Sequence, residues 1–343
     1  MTNIGGQELA PVALGCMNLS HAYGTPPQKS EGIKLLNQAL DLGYDMLDTA
    51  ALYGFGANEE LLAQAVGHRR DEFFLASKCG MFKGPDGKRA IDGRPETIRR
   101  TCEESLQRLN TDVIDLYYLH RWDKSVPIEE SIGELSRLVE EGKIKHIGLS
   151  EVSASTIEKA HAIHRISAVQ SEYSIWSRNP EIAVIEQCQK IGATFVSFSP
   201  VGRGMLTGKV RDNQFVAGDI RLAMPRFSDE HFADNLSLVD KFASVLPMFA
   251  EENGVVEGSD TDAYPTLAQL ALAWTLKKAP NSIALPGTTN LQHLEDNWNT
   301  QRWSVSDELL RVIDDVIPQS KIAGARYNSG TQEEIDTEEF STR

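Results

Sequence analysis

No run of the chain approaches the roughly 18 apolar residues that a membrane-spanning helix needs, so no membrane partner is expected. The opening residues Met1-Thr2-Asn3-Ile4-Gly5-Gly6-Gln7-Glu8 lack the basic and apolar regions of a signal peptide. Cysteine is scarce. The four residues Cys16, Cys79, Cys102 and Cys188 stand far apart with no C-x-x-C pair, which argues against a disulfide framework and a structural zinc site. A reduced, cytoplasmic protein is the simplest expectation. Basic residues are outnumbered, with 34 Lys and Arg against 49 Asp and Glu and a net charge of −15. That balance disfavours nucleic acid, because neutralising phosphates takes a basic face. Any anionic ligand then requires a locally positive pocket.

Three motifs are also missing. No G-x-G-x-x-G follows a strand, which disfavours a doubly wound dinucleotide-binding sheet. The run Gly148-Leu149-Ser150-Glu151-Val152 is not a nucleophile elbow. His161 and His164 lack an H-E-x-x-H context or a carboxylate triad, so no metal site is expected.

What is present is alternation. Apolar strand-like runs at 12–16, 44–47, 73–78, 113–119, 146–149, 166–170, 193–198 and 282–285 alternate with helical patterns at 31–42, 59–66, 95–109, 128–140, 155–164, 181–191, 267–277 and from 292. Eight such βα units over 343 residues predict an α/β fold, a (β/α)8 TIM barrel. Additional helices are expected at 235–251 and 307–317, with a C-terminal extension. One unit is expected over 1–328, followed by an acidic, loose tail at 329–343. Residues 254–264 are predicted to form an acidic surface loop.

The stretch Gly43 to Glu60 organises the rest. It starts as an apolar strand, breaks at Asp48, passes Tyr53 and two glycines, and enters a helix. A carboxylate where a buried strand ends is costly without a compensating partner. In a (β/α)8 barrel the strand C-termini share one rim, which here would collect Asp48, Lys78, His120, Ser150, Gln170 and Ser199. A free phenol titrates near 10, and a neighbouring ammonium is expected to lower that value. Lys78 supplies the ammonium, Asp48 anchors it, and His120 hydrogen-bonds at the same oxygen. Such a set protonates a carbonyl oxygen as hydride arrives at carbon. No side chain supplies hydride, so a cofactor is required.

These residues, with Leu14-Gly15-Cys16-Met17 near one end and Ala323-Gly324-Ala325-Arg326-Tyr327 near the other, resemble the aldo-keto reductase family. The resemblance implies Asp48, Tyr53, Lys78 and His120 as the catalytic set and an extended nicotinamide cofactor, NADPH with NADH as the alternative. Gly15, Met17 and Asp48 fall among the positions implied to meet it. Ser150 and Gln170 resemble the residues that hold the nicotinamide carboxamide, and Phe198 the ring that stacks on it. Ser199, Pro200, Val201, Gly202, Arg203 and Leu206 resemble the pyrophosphate loop, with Lys209 just beyond. Gly287, Thr288, Thr289, His293, Asp296 and Asn297 resemble the adenosine-phosphate and adenine segment. Glu151 departs from the Asn common in the family, and Thr289 from Arg or Lys. The implied function is NADPH-dependent reduction of aldehydes or ketones by a monomer or homo-oligomer. A cofactor-sensing regulatory subunit, similar to the cytosolic subunits of potassium channels, is the alternative. Substrate choice is expected in the loops at 18–27, 81–93, 121–125 and 210–232, and Tyr23, Phe82, Trp122, Trp176 and Met224 suggest an apolar pocket.

Overall fold

The computed structural model describes residues 2–84, 86–255 and 264–340. A hairpin comes first, β1 Thr2–Ile4 and β2 Gln7–Leu9, turning at Gly5-Gly6. Eight parallel strands follow: β3 Leu14–Gly15, β4 Met46–Asp48, β5 Phe74–Cys79, β8 Ile114–Leu119, β9 Ile144–Ser150, β10 Ile166–Glu172, β11 Thr194–Phe198 and β12 Ser282–Leu285. Between β5 and β8 lies a second hairpin, β6 Met81–Lys83 and β7 Arg89–Ile91. The parallel strands pair in sequence order. Val12 bridges Ala284 and Gly15 bridges Gly287, so the sheet closes on itself. The predicted (β/α)8 barrel is therefore the observed fold.

The helices are α1 Lys29–Leu42, α2 Ala57–Val66, α3 Pro95–Leu109, α4 Ile128–Glu140, α5 Ala154–Ile163, α6 Val184–Ile191, α7 Phe232–Ala243, α8 Leu246–Glu252, α9 Leu267–Lys278, α10 Leu291–Asn299, α11 Asp307–Val316 and the short α12 Ser329–Glu333. The helices that follow the strands turn an apolar stripe to the barrel, whereas α12 has no buried residue. In α4 the stripe is Ile128, Ile132, Leu135 and Leu138, all buried at helical spacing. Helix α3 begins with Pro95 in its first turn, where a missing N–H is harmless, and stops at Asn110 in the left-handed conformation. The expected helix at 235–251 is instead two helices, α7 and α8. Pro247 sits in the first turn of α8 and cannot donate back into α7. The expected helix at 181–191 starts later, because Pro180 and Glu181 form a separate 3-10 turn.

Inside the barrel Met46, Phe74, Leu116, Tyr118, Val196 and Ile283 pack together, and Ile4 and Leu9 of the first hairpin join them. Thr2 and Asn3 bond to Ser282 and Thr194, at strand starts, so the hairpin plugs the N-terminal end. Gly148 has no side chain because a Cβ there would lie 2.3 Å from the Tyr118 ring. The opposite end stays open.

The tail expected to be loose is docked over its described residues. Ile335 is buried, the Asp336 amide bonds to the Glu151 carbonyl at 3.0 Å, and the Asp336 carboxylate accepts from Ser153 and Thr156 at the start of α5. Lys124 donates to the carbonyls of Glu333 and Ile335, and Arg89 pairs with Glu334. The acidic composition serves a helix N-terminus and two cations rather than solvent. Deleting 329–343 is therefore expected to destabilise the fold by about 2–4 kcal/mol, from one lost apolar anchor and several charge-assisted bonds. An unchanged urea midpoint would contradict this. Of the acidic loop at 254–264, residues 256–263 lie outside the described residues.

Candidate active site

The open end is built from β4 outward. Strand pairing carries the backbone one step past Asp48, where the Thr49 amide donates to the Ala76 carbonyl at 2.9 Å. The chain then reverses through Gly54, Phe55 and Gly56, all with positive φ, which turns Tyr53 back over the strand ends. Gly54 packs so closely that a Cβ would meet Ser20 at 3.1 Å. Asn58, fully buried, pins the turn by accepting from Thr49 and donating to the Cys16 carbonyl. Five of the non-glycine residues with positive φ (Ala22, Phe55, Glu151, Ser199 and Arg203) lie on or beside this rim. Strained backbone of this kind gathers where surrounding structure over-determines it.

Lys78, at the end of β5, has no solvent exposure. Its ammonium pairs with Asp48 and donates to the Thr49 carbonyl at 2.8 Å and to Tyr53 Oη at 3.3 Å, which uses its three protons. Gln170 Nε2 holds the other Asp48 oxygen at 2.9 Å. Burial alone would weaken the Lys78 ammonium, but Asp48 and Tyr53 outweigh it and lift its pKa above the ordinary value.

Lys78 lowers the phenol's pKa as expected, but the net shift is upward. Burial pushes the Tyr53 hydroxyl above its ordinary range, against the pull of Lys78, whose charge Asp48 partly cancels. Tyr53 is thus a neutral phenol at neutral pH. The His120 ring stands edge-on to Tyr53 with centroids 5.8 Å apart. Burial, then Lys78 and Arg121, push its pKa well below the ordinary imidazole value, so it too is neutral.

Asp48, Tyr53 and His120 face a cavity of about 660 Å³, with Lys78 buried behind them. Gly15 and Met17 line it after β3, Ser150 and Gln170 at the ends of β9 and β10, and Phe198, Ser199, Pro200 and Val201 after β11. Arg203 and Lys209 continue that wall. Gly287, Thr288, Thr289 and His293 close it after β12. Gly202, Leu206, Asp296 and Asn297 are not on the wall. Gly202 and Leu206 are buried behind it, and Asp296 accepts from Gln292 on its own helix.

One expected contact, Arg203, is engaged elsewhere, and the departure at Glu151 faces away from the cavity. Arg203 is buried and paired with Glu172 at 2.7 Å, with Tyr327 Oη at 3.0 Å. Burial would raise Glu172, but Arg203, Arg326 and Arg226 overcome it and hold its carboxyl at about 2. Glu151 turns away from the cavity, pairs with Arg326 and accepts from the Glu172 amide. Of the residues expected to set substrate choice, Tyr23 and Met224 line the cavity, whereas Phe82, Trp122 and Trp176 do not.

Asn18, His21, Arg89, Arg121 and Arg221 also line the cavity; all five lie in the loops expected to set substrate choice, though none was singled out from the sequence. Arg221 forks onto Asp219 at 2.7 Å and stacks 4.1 Å over the Phe215 ring, far from any strand end. Arg121 did carry a signal, a charged residue directly after His120.

A closed parallel barrel with a buried acid, ammonium and phenol at its open end is a (β/α)8 barrel with a polar cavity at its strand ends. The Aldo/keto reductase family profile matches residues 11–318, and the chain belongs to that family of oxidoreductases. It is 40% identical over 328 residues to probable aldo-keto reductase 1 of Glycine max, covering 95% of this chain and 90% of that one. It is 38% identical over 339 residues to aldo-keto reductase yakc, named for NADP(+), of Schizosaccharomyces pombe, covering 97% and 95%. Among solved structures, glycerol dehydrogenase from Gluconobacter oxydans superposes with a TM-score of 0.81 at 28% identity, covering 96% of this chain and 97% of that one.

Proposed function

We propose that the protein reduces aldehydes or ketones to alcohols with NADPH. The observation that carries this is the Lys78 ammonium, buried and shared between Asp48 and the neutral phenol of Tyr53 at the cavity floor. Tyr53 Oη gives its proton to the carbonyl oxygen, and Lys78 stabilises the phenolate that is left. Asp48, itself fixed by Gln170, keeps Lys78 in place. Neutral His120 hydrogen-bonds the carbonyl and orients it. Bound nicotinamide supplies the hydride that no side chain can.

The residues present fit a dinucleotide. One loop places Arg203, Lys209 and Arg221 along the wall after β11, and Thr288, Thr289, the α10 N-cap Asn290 and His293 face the same space. Cations and a helix N-terminus favour phosphates. Support for NADP in particular comes from the name of the 38% identical yeast relative.

Arg211 is exposed and paired with Asp240 at 2.7 Å, so of the two cations just past the pyrophosphate loop only Lys209 lines the cavity. Thr289 is neutral. Preference for NADPH over NADH in kcat/KM is therefore expected to be modest, roughly tenfold or about 1.4 kcal/mol, and to shrink with salt. The test follows NADPH and NADH oxidation with aromatic and aliphatic carbonyls at low and high ionic strength. Equal or better use of NADH at low salt would refute the preference. No oxidation with any carbonyl would refute the proposed activity and favour a cofactor-sensing subunit.

A further inference from the structure

The cavity is cationic in a protein of net charge −15. Among its described lining residues Asp48 is the one carboxylate, and Lys78 already takes it. Five lining residues are Arg or Lys. Arg203, Lys209 and Arg221 belong to the loop after β11, the wall assigned to a dinucleotide's phosphates, and Arg203 and Arg221 are already tied to carboxylates there. Arg89 and Arg121 belong to the other end. Arg121 follows His120 directly, and its charge acts on both His120 and Tyr53. Arg89 acts on His120 and on His21.

Arg203, Arg221 and Arg89 each have a carboxylate partner, in Glu172, Asp219 and Glu334. Arg121 has none among the described residues. It is 8% exposed, and one nitrogen serves the His120 carbonyl at 2.7 Å and Ser150 Oγ at 3.4 Å. Its Nε is buried without any partner. A guanidinium has five N–H donors in a planar fork that matches a carboxylate. Nη1 carries both of the Arg121 side chain's hydrogen bonds among the described residues, so the rest of the fork, where Arg121 lines the cavity, can pair with a ligand anion.

We propose that the preferred substrates are carbonyl compounds bearing a carboxylate, and that Arg121 receives that carboxylate while Tyr53 and His120 hold the carbonyl. The inference rests on carbonyl reduction as the activity. Arg89 adds charge at the mouth, and its tie to Glu334 places the docked tail beside the entrance. The burial of Arg121 favours compact acids, with few atoms between the two groups.

The test compares each acid with its neutral methyl ester: glyoxylate, 4-oxobutanoate and 4-carboxybenzaldehyde, with saturating NADPH. At least one acid is expected to exceed its ester by tenfold or more in kcat/KM, mainly through KM. Arg121→Met is expected to bring that acid-to-ester ratio near one, and Arg121→Lys to restore part of it. The wild-type comparison stands even if a variant misfolds. Acids and esters reduced equally well would overturn the inference and leave carbonyl reduction intact. Equal losses for acid and ester in Arg121→Met, together with weaker NADPH binding, would assign Arg121 to the cofactor and also overturn it. If no carbonyl is reduced at all, the failure lies with the activity.

Discussion

Replacing Tyr53 by Phe is expected to cut kcat for carbonyl reduction by about 10²–10⁴-fold, the usual worth of a positioned proton donor. The expectation follows from where the hydroxyl sits. Tyr53 is 8% exposed, its ring is held by the left-handed turn at Gly54 to Gly56, and its oxygen bonds to Lys78. Phe keeps the ring and its packing, and Lys78 keeps Asp48 and the Thr49 carbonyl. The stability cost should be about 1.5–3 kcal/mol, one hydrogen bond to a buried charged donor. Cofactor affinity should change little. A Tyr53→Phe protein with near-normal kcat would remove Tyr53 from the chemistry.

The second large effect concerns the ion pair beneath it. Lys78→Met leaves the Asp48 carboxylate buried with Gln170 Nε2 as its side-chain donor, and Asp48→Asn leaves an ammonium without its counter-charge. Breaking a buried pair from one side typically costs about 3–5 kcal/mol. Each single variant is expected to lose about that much in urea denaturation and most of its turnover. The double variant Asp48→Asn/Lys78→Met removes both charges and should recover much of the stability while remaining inactive. Contacting residues couple in this non-additive way. Strictly additive losses would show that the two groups do not depend on one another.

The barrel was legible because its strands are buried on both faces and its helices carry apolar stripes, so each βα unit announced itself in the pattern. Helix α4 begins at Ile128 and ends at Glu140, the limits its sequence suggested. The two hairpins were not legible. Their strands are three residues long, too short for an alternation to register, although Gly5-Gly6 is a turn signal. Nor was the docking of the tail, since a run of acidic residues has the same composition whether it faces water or, as Asp336 does, a helix N-terminus.

In the site, Asp48, Lys78, His120, Ser150 and Gln170 were found because a barrel sends every strand end to one rim. Arg121, Arg221 and His21 lie off the strand ends, on turns whose direction depends on tertiary packing. The sign of the Tyr53 shift was misjudged for a related reason. Proximity of an ammonium is readable from a motif, but the burial that outweighs it is a property of the assembled fold.

The measurement that bears most directly on Tyr53 as the acid is the pH profile of kcat/KM for reduction. Tyr53 is active when protonated, so activity should be full below its pKa and lost above it. Because burial raises that pKa, the profile is expected to stay flat through the region near 6.5 where a free imidazole titrates and to fall only on an alkaline limb beyond about 10. His120, held neutral, should add no limb in that region. A fall centred near 6.5 that disappears in His120→Gln would make the histidine the proton donor and contradict the assignment.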